Sequence, residues 1–234
     1  YASSTTYVTG TAAKMAAEEL RAKIINKLAQ FMDVSPEEID FDGLVGMTKD
    51  GTKKMSVQEL APKLLVGTTS EQLNGFATWG SHISPPPFMA SIAEVKVDKQ
   101  TGQIIPLHMY TCVDCGTVVN PKLARVQVEG GAVQAIGMAL YEDVRYSSNG
   151  RLETNNFMTY KIPTRQDIGE LHTAFVESYE ESGAYGVKSI GEIVINTACP
   201  AIQHAVKNAV GADIRTLPMT PEKVFMAMDE KYKV

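Results

Sequence analysis

From Thr11 to Met32, apolar residues recur at intervals of three and four (Ala13, Ala16, Leu20, Ile24, Leu28 and Phe31), which predicts one long amphipathic helix. The hydroxyl-rich run ahead of it, Ser3 to Thr9 ending at Gly10, suits either helix capping or the lining of a phosphate site. Ser35-Pro36-Glu37-Glu38 has capping-box spacing with proline at the first helical position, and predicts a short helical turn. Ile39 to Lys54 reads as short strands around the turn Lys49-Asp50-Gly51-Thr52. Ser56-Val57-Gln58-Glu59 opens a second helix that runs to about Leu65. Val66 to Ser84 is a weakly patterned, partly extended connection holding the single tryptophan, Trp79.

Beyond Ser84-Pro85-Pro86-Pro87 the pattern changes to period two. Ala93, Val95 and Val97 alternate with Glu94 and Lys96, so Phe88 to Asp98 is a half-buried strand, and after the turn at Lys99–Gly102 the stretch Ile104 to Asp114 returns as a second. Asn120 then caps a helix with Pro121 at its first position, running to about Leu140 with Leu123, Val126, Gly130, Val133, Gly137 and Leu140 on one side. The small residues Gly130, Gly131, Ala132 and Ala135 invite a close-packed neighbour. Strands are predicted near Tyr141–Ser147, after the turn Ser148-Asn149-Gly150, and at Leu171–Glu177, with Tyr160–Pro163 a short extended piece. An apolar helix begins at Ile193, is interrupted at Pro200 and stops at Gly211; a last one is capped by Thr220 with Pro221 next, presenting Val224, Met228 and Tyr232. These elements predict an α+β fold, mixed sheets packed with helices, in two parts: an N-terminal α/β subdomain of residues 1–84 and a C-terminal subdomain of residues 85–234.

Composition narrows the function classes. Across 234 residues the chain is 44% hydrophobic and 21% charged, with a formal net charge of −5 and no basic block, which argues against a nucleic-acid partner. No apolar run approaches the length of a membrane span. Cys112, Cys115 and Cys199 fit a reducing cytoplasm better than a disulfide framework.

The stretch that concentrates chemistry is Gly183-Ala-Tyr-Gly-Val-Lys-Ser-Ile-Gly-Glu192, a glycine-rich loop leading into a helix. Glycine lets backbone approach a ligand closely, and the first N–H groups of a helix lack intrahelical partners. Glu192 stands at the helix entrance, either facing what the loop encloses or complementing the helix dipole; Lys188 offers a counter-charge. Cys112-Val-Asp-Cys115 lacks the second ligand pair that zinc needs and the helix start that a redox dithiol needs. His82, His108, His172 and His204 show no helical pairing and read as bland.

Five segments in series resemble the molybdenum-cofactor subunit of the xanthine dehydrogenase and aldehyde oxidase family. They are the hydroxyl-rich start running into Gly10, Asp114-Cys-Gly-Thr-Val-Val-Asn-Pro121, Gln127-Val-Glu-Gly-Gly-Ala-Val-Gln134, the Gly183–Glu192 loop, and Leu217-Pro-Met-Thr-Pro-Glu-Lys-Val224. The resemblance covers nearly the whole chain and implies the C-terminal half of a molybdopterin-binding domain. It implies a molybdenum hydroxylase acting on a purine-like nitrogen heterocycle or an aldehyde, with Glu192 as the general base that takes the proton from a hydroxyl on molybdenum. By the same resemblance Gln127, Ser3, Ser4, Thr5, Lys188, Ser189 and Gly191 contact the molybdenum–molybdopterin cofactor, in plain or cytosine dinucleotide form. Thr6 faces the substrate, and no side chain ligates the metal. Iron–sulfur clusters and FAD are then expected on partner subunits or domains, and the rest of the molybdenum-binding region lies outside these residues. The isolated chain would hold half a cofactor site and be inactive alone. Ile193 and Val194 depart from the prolines that often follow the family's glutamate. The competing expectation is a non-catalytic scaffold or assembly subunit that keeps the fold and tolerates loss of Glu192.

Overall fold

The structure is a computed structural model that describes residues 3–66 and 70–233; residues 67–69 of the expected connection lie outside them. The chain divides into two compact units, Val8–His82 and Tyr1–Tyr7 with Ile83–Val234. The first seven residues, expected within the N-terminal subdomain, thus join the second unit. The cause is Tyr7, only 3% exposed, whose backbone N–H donates to Ser189 Oγ at 3.2 Å and whose hydroxyl meets Ser182 Oγ at 2.7 Å.

In the unit of Val8–His82, the long predicted helix is α1 (Gly10–Met32), entered through a π-helical turn, Thr5–Thr9, that makes no side-chain cap. Strands β1 (Ile39–Phe41), β2 (Val45–Thr48) and β3 (Lys54–Ser56) form an antiparallel sheet in that order. Helix α2 (Val57–Leu65) starts on the predicted capping box: Ser56 Oγ accepts from the Glu59 N–H at 3.2 Å, and the Glu59 carboxylate accepts from the Ser56 N–H at 2.8 Å. Such a cap is worth about 1 kcal/mol. The Ser35 signal yields a single 3-10 turn, Pro36–Glu38, because its serine caps nothing. Leu28, Ala29, Met32, Ile39 and Leu60 close a small core.

In the other unit β4 (Phe88–Val97) pairs antiparallel with β5 (Ile104–Asp114), and β6 (Glu170–Phe175) pairs parallel with β5. Between β5 and β6 runs α3 (Pro121–Leu140), capped as predicted by Asn120, whose Oδ1 accepts from the Leu123 N–H at 3.1 Å. After the glycine loop come α4 (Ile193–Asn196), α5 (Ala198–Val210) and α6 (Pro221–Ala227), the last capped by Thr220. The core joins Met109 of the sheet to Ala132, Ala135, Ile136 and Ala139 of α3, Ile202 and Val206 of α5, and Val224 of α6. Among the described residues, no helix is long and apolar enough to cross a membrane.

Three expectations are corrected here. The buried face of α3 runs through Val128, Gly131, Ala132, Ala135 and Ile136 and keeps Gly137 and Leu140 of the expected side, whereas Leu123 and Val126 are 66% and 64% exposed. Helical periodicity allowed both faces, and the packed neighbours chose between them. The strands expected on either side of Ser148-Asn149-Gly150 reduce to one isolated bridge, Tyr146 to Leu152, since no neighbouring strand extends the ladder. The apolar helix breaks at Thr197 rather than Pro200, which falls in the first turn of α5, where its missing N–H leaves no intrahelical bond unmade.

Two features of this unit position the loop. Gly131 meets Val194 of α4 so closely that a Cβ there would lie 2.1 Å from Val194 Cγ2. The loop itself is clasped to the end of β5: Gly116 bridges to Val187, the Lys188 N–H donates to Cys115 O at 2.8 Å, and the Thr117 N–H donates to Gly186 O at 2.9 Å. Lys188 Nζ lies 2.8 Å from Asp114 Oδ2, with both side chains largely shielded. Asp114 Oδ1 also accepts from Ser178 Oγ at 2.6 Å and from the Gly116 N–H at 2.9 Å. Burial pushes the Asp114 carboxyl upward, but the hydrogen bonds from Lys188, Ser178 and Gly116, with the Lys188 charge, outweigh it and hold the carboxyl below its ordinary value.

Gly131→Ala is expected to destabilise by about 1–3 kcal/mol, as overpacked cores do. Adding Val194→Ala should recover part of that loss, and chemical denaturation of the four proteins of this cycle measures the coupling. Asp114→Asn is expected to lower stability by about 1–3 kcal/mol near neutral pH, the usual worth of hydrogen bonds to a charged group. Because the folded carboxyl titrates below its unfolded value, that contribution is whole above about pH 4 and fades as pH falls through the folded value. Thermal melting of the wild type and Asp114→Asn between neutral and acidic pH should show the two curves converging on the acid side.

Candidate cofactor and catalytic site

Once clasped, the loop delivers Glu192 to the head of α4. Glu192 occupies the N-cap position, yet its side chain makes no capping bond. Its carboxylate instead accepts from Ser3 Oγ at 3.1 Å, while its backbone N–H donates to the same hydroxyl oxygen at 2.7 Å. Ser3 is held in a left-handed conformation with φ 49°. The approach is close enough that a Cβ on Gly191 would lie 2.7 Å from Ser3 Oγ. From α3, Gln127 Nε2 donates to Gly191 O at 2.9 Å, which leaves the amide oxygen to accept from another group. Ser189 is buried, and its hydroxyl oxygen receives the Tyr7 N–H.

These residues surround a cavity of about 680 Å³. Ser3, Thr5, Thr6, Gln127, Ser189, Gly191 and Glu192 all line it. Val126 does too, which explains an apolar residue on the exposed side of α3. Of the other expected cofactor residues, Ser4 is not among the lining side chains. Lys188 lines a neighbouring hollow of about 310 Å³ that shares Thr6 and Gln127 with the first, and its charge is matched to Asp114. Sequence reading missed Gln134, two turns along α3 from Gln127 and therefore on the same face; the spacing of the two glutamines was the available signal. It also missed Asp114 as the loop's anchor.

The glycines divide their work differently from the expectation. Gly131 and Gly191 admit neighbouring protein atoms, whereas a Cβ on Gly130 would meet nothing within 4 Å, so Gly130 presents bare backbone to the cavity. Hydroxyls, two carboxamides and open backbone suit a polar heterocycle bearing phosphate, which hydrogen bonds many neutral donors. Among the described residues neither cysteine nor histidine lines this cavity and Glu192 is its one carboxylate, a set too sparse to hold a bare transition-metal ion and suited to one that arrives on an organic carrier. The residues present fit molybdopterin, which carries its metal on its own ligands.

Comparison with known proteins points the same way. Residues 1–169 match the family model for the molybdopterin cofactor-binding domain. The chain is 36% identical over 234 residues to the probable hypoxanthine oxidase XdhD of Escherichia coli (strain K12), covering 98% of this chain and 24% of that protein. It is 32% identical over 229 residues to the putative xanthine dehydrogenase molybdenum-binding subunit XdhA of the same strain, covering 96% of this chain and 30% of that one. The crystal structure of quinoline 2-oxidoreductase from Pseudomonas putida 86 superposes with a TM-score of 0.84 at 26% identity, over 98% of this chain and 30% of that one. The chain thus spans 24–30% of the length of these relatives. With the family model covering most of its length and its fold shared with a solved oxidoreductase, the chain belongs to the molybdopterin cofactor-binding domain family, as part of a molybdenum-binding subunit of the xanthine dehydrogenase and aldehyde oxidase type.

Proposed function

We propose that the 680 Å³ cavity binds the molybdenum–molybdopterin cofactor, and that Glu192 acts there as the general base of a molybdenum hydroxylase. The observation that carries this reading is the freedom of the Glu192 carboxylate from helix capping: it is exposed on the cavity wall and oriented by Ser3 alone among the hydrogen bonds found for it. A base needs an accessible oxygen, a fixed direction and room for the reacting group, and those three are present. Bound in the cavity, the cofactor would supply the redox chemistry of the hydroxylation.

The chain's own residues would do the positioning. Ser3 holds Glu192 Oε2 in one direction, so the carboxylate keeps its other oxygen for the proton released as a substrate carbon is hydroxylated. Gln127 and Gln134 would offer amide groups to the pterin, Thr5 would add a hydroxyl, and Thr6, which lines both hollows, would face the substrate. Gly130 lets the cofactor rest against backbone. Gly191 and Ser189 hold the wall rather than the ligand, and Lys188 acts one step back, through Asp114.

A nitrogen heterocycle is the substrate class we favour, with an aldehyde as the other. Hypoxanthine, nicotine and quinoline appear in the names of relatives from Escherichia coli, Paenarthrobacter nicotinovorans and Pseudomonas putida. The cytosine dinucleotide form of the cofactor is part of the same proposal, the adjoining 310 Å³ hollow giving a longer ligand somewhere to run. Since the chain covers a quarter of the first relative, the remaining molybdenum-binding region and the iron–sulfur and flavin carriers are proposed as partners, in a reducing cytoplasm.

In the complete enzyme, Glu192→Gln should lower turnover by about 10²–10⁴-fold, the usual worth of a positioned base. Molybdenum per complex, measured by elemental analysis, should stay unchanged. Wild-type turnover in Glu192→Gln would return the chain to the scaffold reading. Ser3→Ala keeps the base and loses its guide, so kcat should fall by roughly tenfold while molybdenum per complex stays unchanged.

A further inference from the structure

The outward face of β5 and β6 holds a second cluster that takes no part in the cavity. Parallel register sets His108 directly across from Glu170, and Tyr110 directly across from His172. Across that square, His108 Nδ1 lies 3.2 Å from His172 Nε2, and Glu170 Oε2 lies 3.6 Å from the first nitrogen and 3.8 Å from the second. Tyr110 stacks on His172 with ring centres 4.5 Å apart and planes 12° from parallel, and on His108 at 5.8 Å.

Three ligand atoms of the kinds that bind zinc therefore meet in one small triangle. A tetrahedral zinc with bonds of about 2.0–2.2 Å holds its ligand atoms about 3.3–3.5 Å apart. The observed edges bracket that spacing, so an ion could sit above the triangle with small side-chain movement. A plain hydrogen bond between the imidazoles does not need the carboxylate oxygen that lies within 3.8 Å of both nitrogens. The backbone beneath is rigid, since both strands are paired through this stretch, and the tyrosine ring fixes both imidazole planes. Glu94 of β4, paired with His108 on its other side, adds negative charge nearby.

We infer that His108, His172 and Glu170 form a binding site for a divalent transition metal of the zinc class. Two imidazoles and one carboxylate select zinc, copper or nickel over magnesium or calcium, which prefer oxygen alone. All three side chains remain partly exposed, at 33%, 42% and 67%, so the fourth coordination position opens to solvent, where water or a group from a partner can enter. The site is separate in residues and in chemistry from the proposed cofactor cavity, and it neither needs nor implies molybdenum there.

The test uses the complete protein, freed of exchangeable zinc with a mild chelator and then dialysed to equilibrium against buffered zinc chloride. Zinc and molybdenum are both counted by elemental analysis, so an effect on the cofactor cannot be mistaken for an effect on this site. The wild type should retain about one more saturable zinc per chain than the double variant His108→Gln, His172→Gln, with molybdenum equal in the two. Glu170→Gln leaves the imidazoles in place and should raise the zinc Kd by about tenfold or more, since even an outer-sphere partner is commonly worth about 10–100-fold. All three residues are partly exposed, so in the absence of zinc the melting temperatures of the variants should match the wild type. Equal zinc in wild type and double variant would overturn the proposal, as would a Glu170→Gln protein that binds zinc as tightly as the wild type.

Discussion

The clasp between the glycine loop and the end of β5 is the constraint on which the site depends. Ordering a residue costs about 1–2 kcal/mol in backbone entropy, and a loop with three glycines is at the expensive end. Its compensation is local and dense: a bridge at Gly116 and Val187, backbone bonds on either side, and a shielded ion pair from Lys188 to Asp114. The aspartate also serves Ser178 and the Gly116 N–H, so one carboxylate ties together a strand end, a turn and the loop. With the loop fixed there, the direction in which Glu192 leaves it is no longer open.

Helix α3 is the second reference for the same carboxylate. One face of it is core and another, through Val126, Gln127, Gly130 and Gln134, is cavity wall, which is why its apolar residues do not all face one way. Val194 seats against Gly131, fixing α4 to α3, and Gln127 reaches across to Gly191. The cavity walls thus hold each other.

What could be read in advance follows from how local each cause is. Caps at Ser56, Asn120 and Thr220, the paired strands β4 and β5, and the extents of α1 and α3 rest on neighbours within a few residues, and each is written in the chain. The buried face of α3 was not, because periodicity marks several faces and only the packed neighbours choose between them. Lys188 looked like a loop cation awaiting a ligand, since its partner stands 74 positions earlier. His108 and His172 looked scattered for the same reason: only the parallel register of β5 and β6, set by an α3 crossover, brings them together. For Glu192, sequence alone left helix cap and base side by side; in the structure its side chain caps nothing and accepts from the hydroxyl of Ser3, 189 residues away.

That last separation has a consequence for how the protein is made. Ser3 and Tyr7 leave the ribosome 175–189 residues ahead of the groups they bond, Ser182, Ser189 and Glu192. At about 5–20 residues per second the first segment waits roughly 10–40 s for its partners. The α1 unit can fold in that interval, because its sheet and capped helix are complete by His82. Residues 3–7 cannot, so the wall around Glu192 closes only after the strands, helices and loop that separate them from it have been translated.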